Sequence, residues 1–142
     1  MEAVAEYDFR YLAGILSFNR RLFFEAHEIW EDLWHESGPD VRRFYQALIQ
    51  AAVALHHWNN GNWRGAKRLF HSGRKYMSAY PNGFLGLDVG KFWQQMERAV
   101  ADVLGESPPA ASARLDHSSL PAIEINPPPA QWPELENFLP TT

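Results

Sequence analysis

Two histidines and one glutamate repeat at helical spacing in the first quarter of the chain. His27, Glu31 and His35 follow the pattern H-x3-E-x3-H. In an α-helix, residues four apart stand one turn above each other, with their Cβ atoms about 6 Å apart. Imidazole nitrogens and carboxylate oxygens are ligands of zinc in proteins. The pattern is therefore typical of a divalent metal site, and equally of histidines that only hydrogen-bond a carboxylate on their own helix.

A second polar pattern lies on an otherwise apolar stretch. Gln46, Gln50 and His57 fall within about 40° of one another on a helix predicted over residues 40–59. Burying such groups unpaired costs about 1–3 kcal/mol each, so they need a polar partner. We expect that partner to be the edge of the preceding helix that carries His27 and Glu31. Together, two imidazoles and one carboxylate would suit a divalent metal such as zinc, whereas a metal-free hydrogen-bonded network would use the same side chains.

The elements that carry these residues are predicted to be helices. Apolar residues recur with helical period, and no stretch alternates as a strand does. Asn62 and Asp88 are predicted helix caps. Connections this short make neighbouring helices antiparallel, so we predict an all-α fold, a compact antiparallel bundle of about five helices. The predicted helices cover residues 7–18, 22–36, 40–59, 62–79 and 88–104.

Charge and proline divide the chain into two parts. Residues 1–104 contain 12 basic and 12 acidic side chains, whereas residues 105–142 contain one and five. Eight of the ten prolines lie in the second part, and proline favours extended backbone. We predict a helical bundle domain over residues 1–104 and an acidic, proline-rich tail over residues 105–142. Because the tail also contains several large apolar residues, we expect it to pack partly on the body or on a second subunit.

Composition excludes several classes of function. The chain has no cysteine, so disulfides, cysteine-based zinc sites and thiol nucleophiles are excluded. No apolar run of signal-peptide or membrane-spanning type occurs, which predicts a cytoplasmic protein. A net charge of −4 gives no positive excess to attract nucleic acid, even though the stretch over residues 62–79 is basic. Self-association and an unidentified small-molecule ligand stay open.

Four segments together resemble a known family, the domain of unknown function 309 of bacteria and archaea. The resemblance covers roughly residues 8–80, and one departure is Ala47, where relatives usually have glycine. The proline-rich tail lies outside the shared region. The segments are Phe18-Asn19, FFEAHEIWEDLW over residues 23–34, QALIQAAVALHH over residues 46–57 and GNWRGA over residues 61–66.

The resemblance implies an all-helical bundle of a kind often labelled a predicted metal-dependent hydrolase. In that hypothesis His27, Glu31 and His57 hold a metal. Glu28 or Glu25 acts as general base on a bound water, while Gln50 orients the substrate. The alternative is a non-enzymatic helical interaction module in which the same side chains form a buried network. The polar positions carried over from the family are Glu25, His27, Glu28, Glu31, Gln46, Gln50 and His57.

Overall fold

The computed structural model describes residues 6–139, and five α-helices dominate this range. Residues 6–139 contain no strand, only an isolated bridge between Leu87 and Ile125. The prediction of an all-α bundle is therefore confirmed. In the same range, no helix is both long and apolar enough to cross a membrane. The helices are α1 (Phe9–Asn19), α2 (Phe23–Glu36), α3 (Pro39–Asn59), α4 (Trp63–Met77) and α5 (Val89–Ala99), with short 3-10 turns at Phe84–Gly86, Ala101–Val103 and Leu135–Asn137.

Local sequence accounts for where the helices begin and end. The side chains of Asn62 and Asp88 each accept a backbone N–H from the first turn of the helix that follows, both at 3.1 Å, as predicted. These bonds satisfy donors that a helix start leaves without a partner. The α5 helix ends at Ala99 rather than at residue 104, because Val100 leaves the helical conformation (φ −111°, ψ 18°) and a 3-10 turn follows.

The first four helices are arranged as antiparallel neighbours in chain order. Phe24 near the start of α2 contacts His56 near the end of α3, with ring centroids 5.1 Å apart. At the other end of the pair, the Arg42 guanidinium lies 4.2 Å from the centroid of the Trp34 ring. The α4 helix also packs along α3. As a result α2 and α4 each lie against α3 rather than against each other.

The core is organised around Trp30, which is completely buried. Its indole Nε1 donates a hydrogen bond to the Tyr11 carbonyl at 3.2 Å. A glycine in α1 leaves the room for this ring, because a Cβ on Gly14 would lie 1.9 Å from the same nitrogen. The α5 helix covers the rest of the core through Phe92, whose ring centroid lies 5.9 Å from that of Phe18.

Much of the stretch after α5 lies on the helical body. Leu115, Ile123 and Ile125 are buried in the main core cluster, and Leu135 is buried in a second cluster with Ile29. Asn19 holds the backbone of Ile123 from both sides. Its side-chain amide donates to the Ile123 carbonyl at 2.9 Å, and its side-chain oxygen accepts the Ile123 N–H at 2.8 Å. Apolar burial and paired hydrogen bonds thus hold the segment together.

We expect Gly14→Ala to destabilise the fold by about 1–3 kcal/mol, because the added methyl group would overlap the Trp30 indole. Gly90→Ala is the matched control. It makes the same change in α5, where the added Cβ would meet only Asp88 Oδ1 at 3.9 Å. Its effect should be neutral or stabilising, by up to about 1 kcal/mol, since alanine favours helices. Urea unfolding followed by circular dichroism measures both, and equal effects would contradict the close contact at Gly14.

Replacing Asn19 should loosen the segment around Ile123. Asn19→Ala leaves two buried backbone groups without partners, at a cost of about 1–3 kcal/mol. Amide hydrogen exchange of Ile123 should then accelerate strongly, while exchange in α3 stays slow. Asn19→Asp is the control, because it keeps an oxygen that accepts the Ile123 N–H. Equal exchange rates in the wild type and Asn19→Ala would show that apolar burial alone fixes the segment.

Candidate functional site

The H-x3-E-x3-H side chains contact one another along one side of α2. The His27 ring donates through Nδ1 to the Phe24 carbonyl at 2.8 Å, and its Nε2 lies 3.1 Å from Glu31 Oε2. The other carboxylate oxygen of Glu31 lies 3.7 Å from His35 Nε2. The Glu31 carboxylate therefore lies beside both the His27 and the His35 imidazoles. The backbone bond at Nδ1 leaves His27 Nε2 as the ring atom that faces Glu31.

His57 lies in different surroundings, at the turn between α3 and α4. The Asn62 side-chain amide donates to His57 Nδ1 at 3.3 Å. A Cβ on Gly65 would lie only 2.9 Å from the imidazole Cδ2, so the ring packs directly on α4. Burial, followed by the nearby His56 and Arg68, lowers the pKa of His57 below its ordinary value. A neutral ring is also what the bond from Asn62 requires, since Nδ1 must accept it.

Gln50 of the same stripe faces α4 as well. A Cβ on Gly73 would lie 3.3 Å from the Gln50 Cβ and 2.9 Å from Cη2 of Trp93. The Gln50 side-chain oxygen is buried and has no hydrogen-bond partner in residues 6–139. Gln46 is half-buried one turn earlier on α3. Gln50 and His57 of the polar stripe thus lie in the seam with α4.

The expected contact between this stripe and the His27/Glu31 edge of α2 is therefore not what the structure shows. The physical reason lies in α4, where Gly65 and Gly73 are about 80° apart around the helix and both lie on the side that packs against α3. Without side chains at these positions, α4 can approach the polar side chains of α3 closely. Two glycines at this spacing were the sequence signal that could have identified α4 as the neighbour of the stripe.

A metal could use only part of the predicted ligand set. Within residues 6–139, no group of three His, Asp or Glu side chains is arranged to hold a metal ion. His27 Nε2 and the Glu31 carboxylate are adjacent, but His57 is engaged with Asn62. Catalytic zinc sites generally use three protein ligands. The structure thus brings two of the three predicted ligands together and leaves the third at another helix junction.

Glu25 and Glu28, the predicted general bases, line a hollow between α2 and the chain around Phe138. Asp32 and Ile29 line the same hollow, which has a volume of about 250 Å³. The contacts of His27, in contrast, are with Phe24 and Glu31. The carboxylates of α2 therefore lie in two different places: Glu31 contacts His27, whereas Glu25, Glu28 and Asp32 line the hollow.

A surface that the sequence did not identify adjoins this hollow. Phe9 and Trp132 are 56% and 39% exposed, and both line a cavity of about 360 Å³. This cavity shares Asn137 and Phe138 with the hollow beside α2, and shares Phe9 and Gln131 with another hollow at the start of α1. We call the three adjoining hollows the acidic groove. The apolar residues of the tail predicted that it packs partly on the body or on a second subunit, and Trp132, one of those residues, is 39% exposed.

The charge of the acidic groove has one sign. No lysine or arginine is among the residues that line it. Within the described range 6–139, none of its carboxylates forms an ion pair. The groove therefore combines exposed aromatic rings with uncompensated negative charge. Its carboxylates belong to Glu6, Glu25, Glu28, Asp32 and Glu134.

Comparison with known proteins identifies a family match in the first half of the chain. The family described as "Domain of unknown function (DUF309)" matches residues 11–69. Residues 11–69 are therefore similar to this family, and they make up less than half of the chain. The DUF309 region contains His27, Glu31 and His57, whereas Phe9 and Trp132 of the acidic groove lie outside it.

Two curated relatives are themselves uncharacterised. "Uncharacterized protein YpuF" of Bacillus subtilis (strain 168) is 40% identical over 80 residues, which are 54% of this chain and 46% of the relative. An "Uncharacterized protein" of Aquifex aeolicus (strain VF5) is 28% identical over 88 residues, 61% of this chain and 26% of the relative. The chain thus spans less than half the length of these two relatives.

The lowered pKa of His57 makes stability depend on pH. The ordinary value is 6.5 and the folded value lies below it. As the pH falls through about 6.5, the unfolded chain therefore binds a proton that the folded chain does not yet accept. The contribution of His57 should be complete above that pH and should decrease until the lower folded pKa is reached.

Urea unfolding between pH 8 and pH 5 measures this dependence. His57→Gln should flatten the loss of stability in the window below pH 6.5. Arg68→Gln removes one of the charges that lower the pKa of His57, so NMR titration of this variant should give a higher His57 pKa than in the wild type. An identical pH slope in the wild type and His57→Gln would contradict a neutral His57 in the folded chain.

Proposed function

We propose that the chain is a helical interaction module and that the acidic groove is its docking surface. The observation that carries this proposal is the convergence of Phe9 and Trp132 on one cavity, although both rings are large and substantially exposed. Exposed apolar surface of this kind marks protein interaction sites more often than chance. Tryptophan is also among the residues that contribute most binding energy in interfaces.

In this proposal the polar side chains of the sequence motifs, such as His27 and His57, stabilise the helices and do not bind a metal. His27 links the first turn of α2 to Glu31 one turn later. His57 is bonded to Asn62, the residue whose side chain also caps α4. The first bond steadies the start of α2, which lines the groove, and the second fixes the junction between α3 and α4. A satisfied polar network of this type favours one packing arrangement over alternatives.

A metal-dependent hydrolase would need a different arrangement of the same side chains. His57 would have to leave Asn62 and reach His27 and Glu31. The general base would have to come from Glu25 or Glu28, which line the acidic groove. The interaction module needs no such rearrangement and uses surfaces that are already exposed.

Zinc titration by isothermal calorimetry separates the two proposals. We expect at most weak binding, above about 10 µM, by the His27/Glu31 pair, since two ligands hold the metal less tightly than three. Any such binding should disappear in His27→Ala and persist in His57→Ala. Circular dichroism of each variant confirms that it is folded.

A different result of the zinc titration would contradict the interaction module. Stoichiometric zinc binding that His27→Ala and His57→Ala abolish to the same extent would require a shared three-ligand site. That outcome would overturn the interaction module and favour the hydrolase. His71→Ala is the control, because His71 is an exposed histidine on α4 outside both networks.

A further inference from the structure

We propose that the acidic groove binds a basic amphipathic helix of a partner protein, in which lysines or arginines flank apolar anchor residues. This inference rests on the proposed function and specifies the chemistry of the partner. It depends on the rings that the groove exposes, on the sign of its charge and on the spacing of its carboxylates.

The apolar part of the groove offers places for anchor side chains. Phe9, Trp132 and Phe138 line the central cavity, and Leu12 and Pro129 line the adjoining hollow. The central cavity measures about 360 Å³, which is enough for one or two large aliphatic or aromatic side chains. Burying such a side chain favours binding, because its apolar surface is removed from water. Affinity would therefore come mainly from these contacts.

The nearby arginines do not neutralise the groove, because other carboxylates already engage them. Arg10 bonds to Glu36 at 2.7 Å and to Asp8 at 3.3 Å. Arg20 lies 3.6 Å from Glu136. None of these three carboxylates lines the acidic groove. The field at the groove consequently stays negative, which attracts a basic partner and repels an acidic one.

The carboxylates on α2 also have a spacing that a helix can match. Glu25, Glu28 and Asp32 line the groove at positions i, i+3 and i+7, and so extend about 10 Å along the helix axis. A partner helix with basic residues at the same intervals places them on one face. Apolar residues beside that face would then point toward Phe138 and Trp132. A helix of three to four turns is long enough to make both kinds of contact.

Two synthetic amphipathic peptides of 16 residues test the charge preference. One consists of leucine and lysine, and the other has glutamate in place of every lysine. Each carries a fluorescent label, and its anisotropy is followed as the full chain is added at pH 7. We expect the lysine peptide to bind at least tenfold more tightly than the glutamate peptide. Its affinity should also fall when sodium chloride rises from 50 to 500 mM.

Matched variants locate the binding. Trp132→Ser should lower the affinity for the lysine peptide at least tenfold. Phe24→Ser removes an exposed ring outside the groove and should change this affinity less than twofold. Glu28→Lys combined with Asp32→Lys should remove the preference for the lysine peptide. Asp102→Lys combined with Glu106→Lys reverses two exposed charges outside the groove and should preserve that preference. Thermal unfolding of each variant verifies that the fold is intact.

The outcomes distinguish this inference from the proposed function. If both peptides bind equally and Trp132→Ser abolishes both, the groove is a docking surface but its partner is not basic. If neither peptide binds, both proposals fail. Binding that Trp132→Ser leaves unchanged would place the site elsewhere and overturn the inference. Self-association of the wild type in sedimentation velocity that Trp132→Ser abolishes would make a second copy the occupant, which also overturns it.

Discussion

The close packing of α4 on α3 at Gly65 and Gly73 is the constraint on which the other features depend. Because these positions carry no side chains, His57 and Gln50 can lie in the seam between the two helices. His57 then bonds to Asn62, whose side chain also caps α4. The polar stripe of α3 is thereby directed away from His27 and Glu31. The outer side of α2 is left to form a surface of its own.

Helical periodicity was sufficient to predict the five helices, but it did not predict which faces of neighbouring helices pack together. The position of Gln50 around α3 follows from residue spacing alone, whereas its neighbour depends on which helix can approach closely. Caps are local, so Asn62 and Asp88 could be assigned from the sequence. The acidic groove is built from residues as far apart as Phe9 and Trp132, and no short-range pattern relates them.

The position of α3 also explains why charge is separated on the molecule. Five acids and no lysine or arginine lie on α2, while α4 carries Arg64, Lys67, Arg68, Arg74 and Lys75 and no acid. These two helices would attract each other if they were adjacent. Since each packs along α3 instead, the opposite charges stay on separate surfaces. The negative field of the acidic groove is therefore a consequence of helix order.

The groove combines residues inside the segment that matches the DUF309 family with residues outside it. Glu25, Glu28 and Asp32 lie within the DUF309 segment over residues 11–69. Trp132 and Phe138 come from the later stretch, which Asn19 and the buried Ile123 hold against the body. In our proposal, carboxylates within residues 11–69 attract a basic partner helix, and the aromatic rings outside this segment provide the apolar contacts.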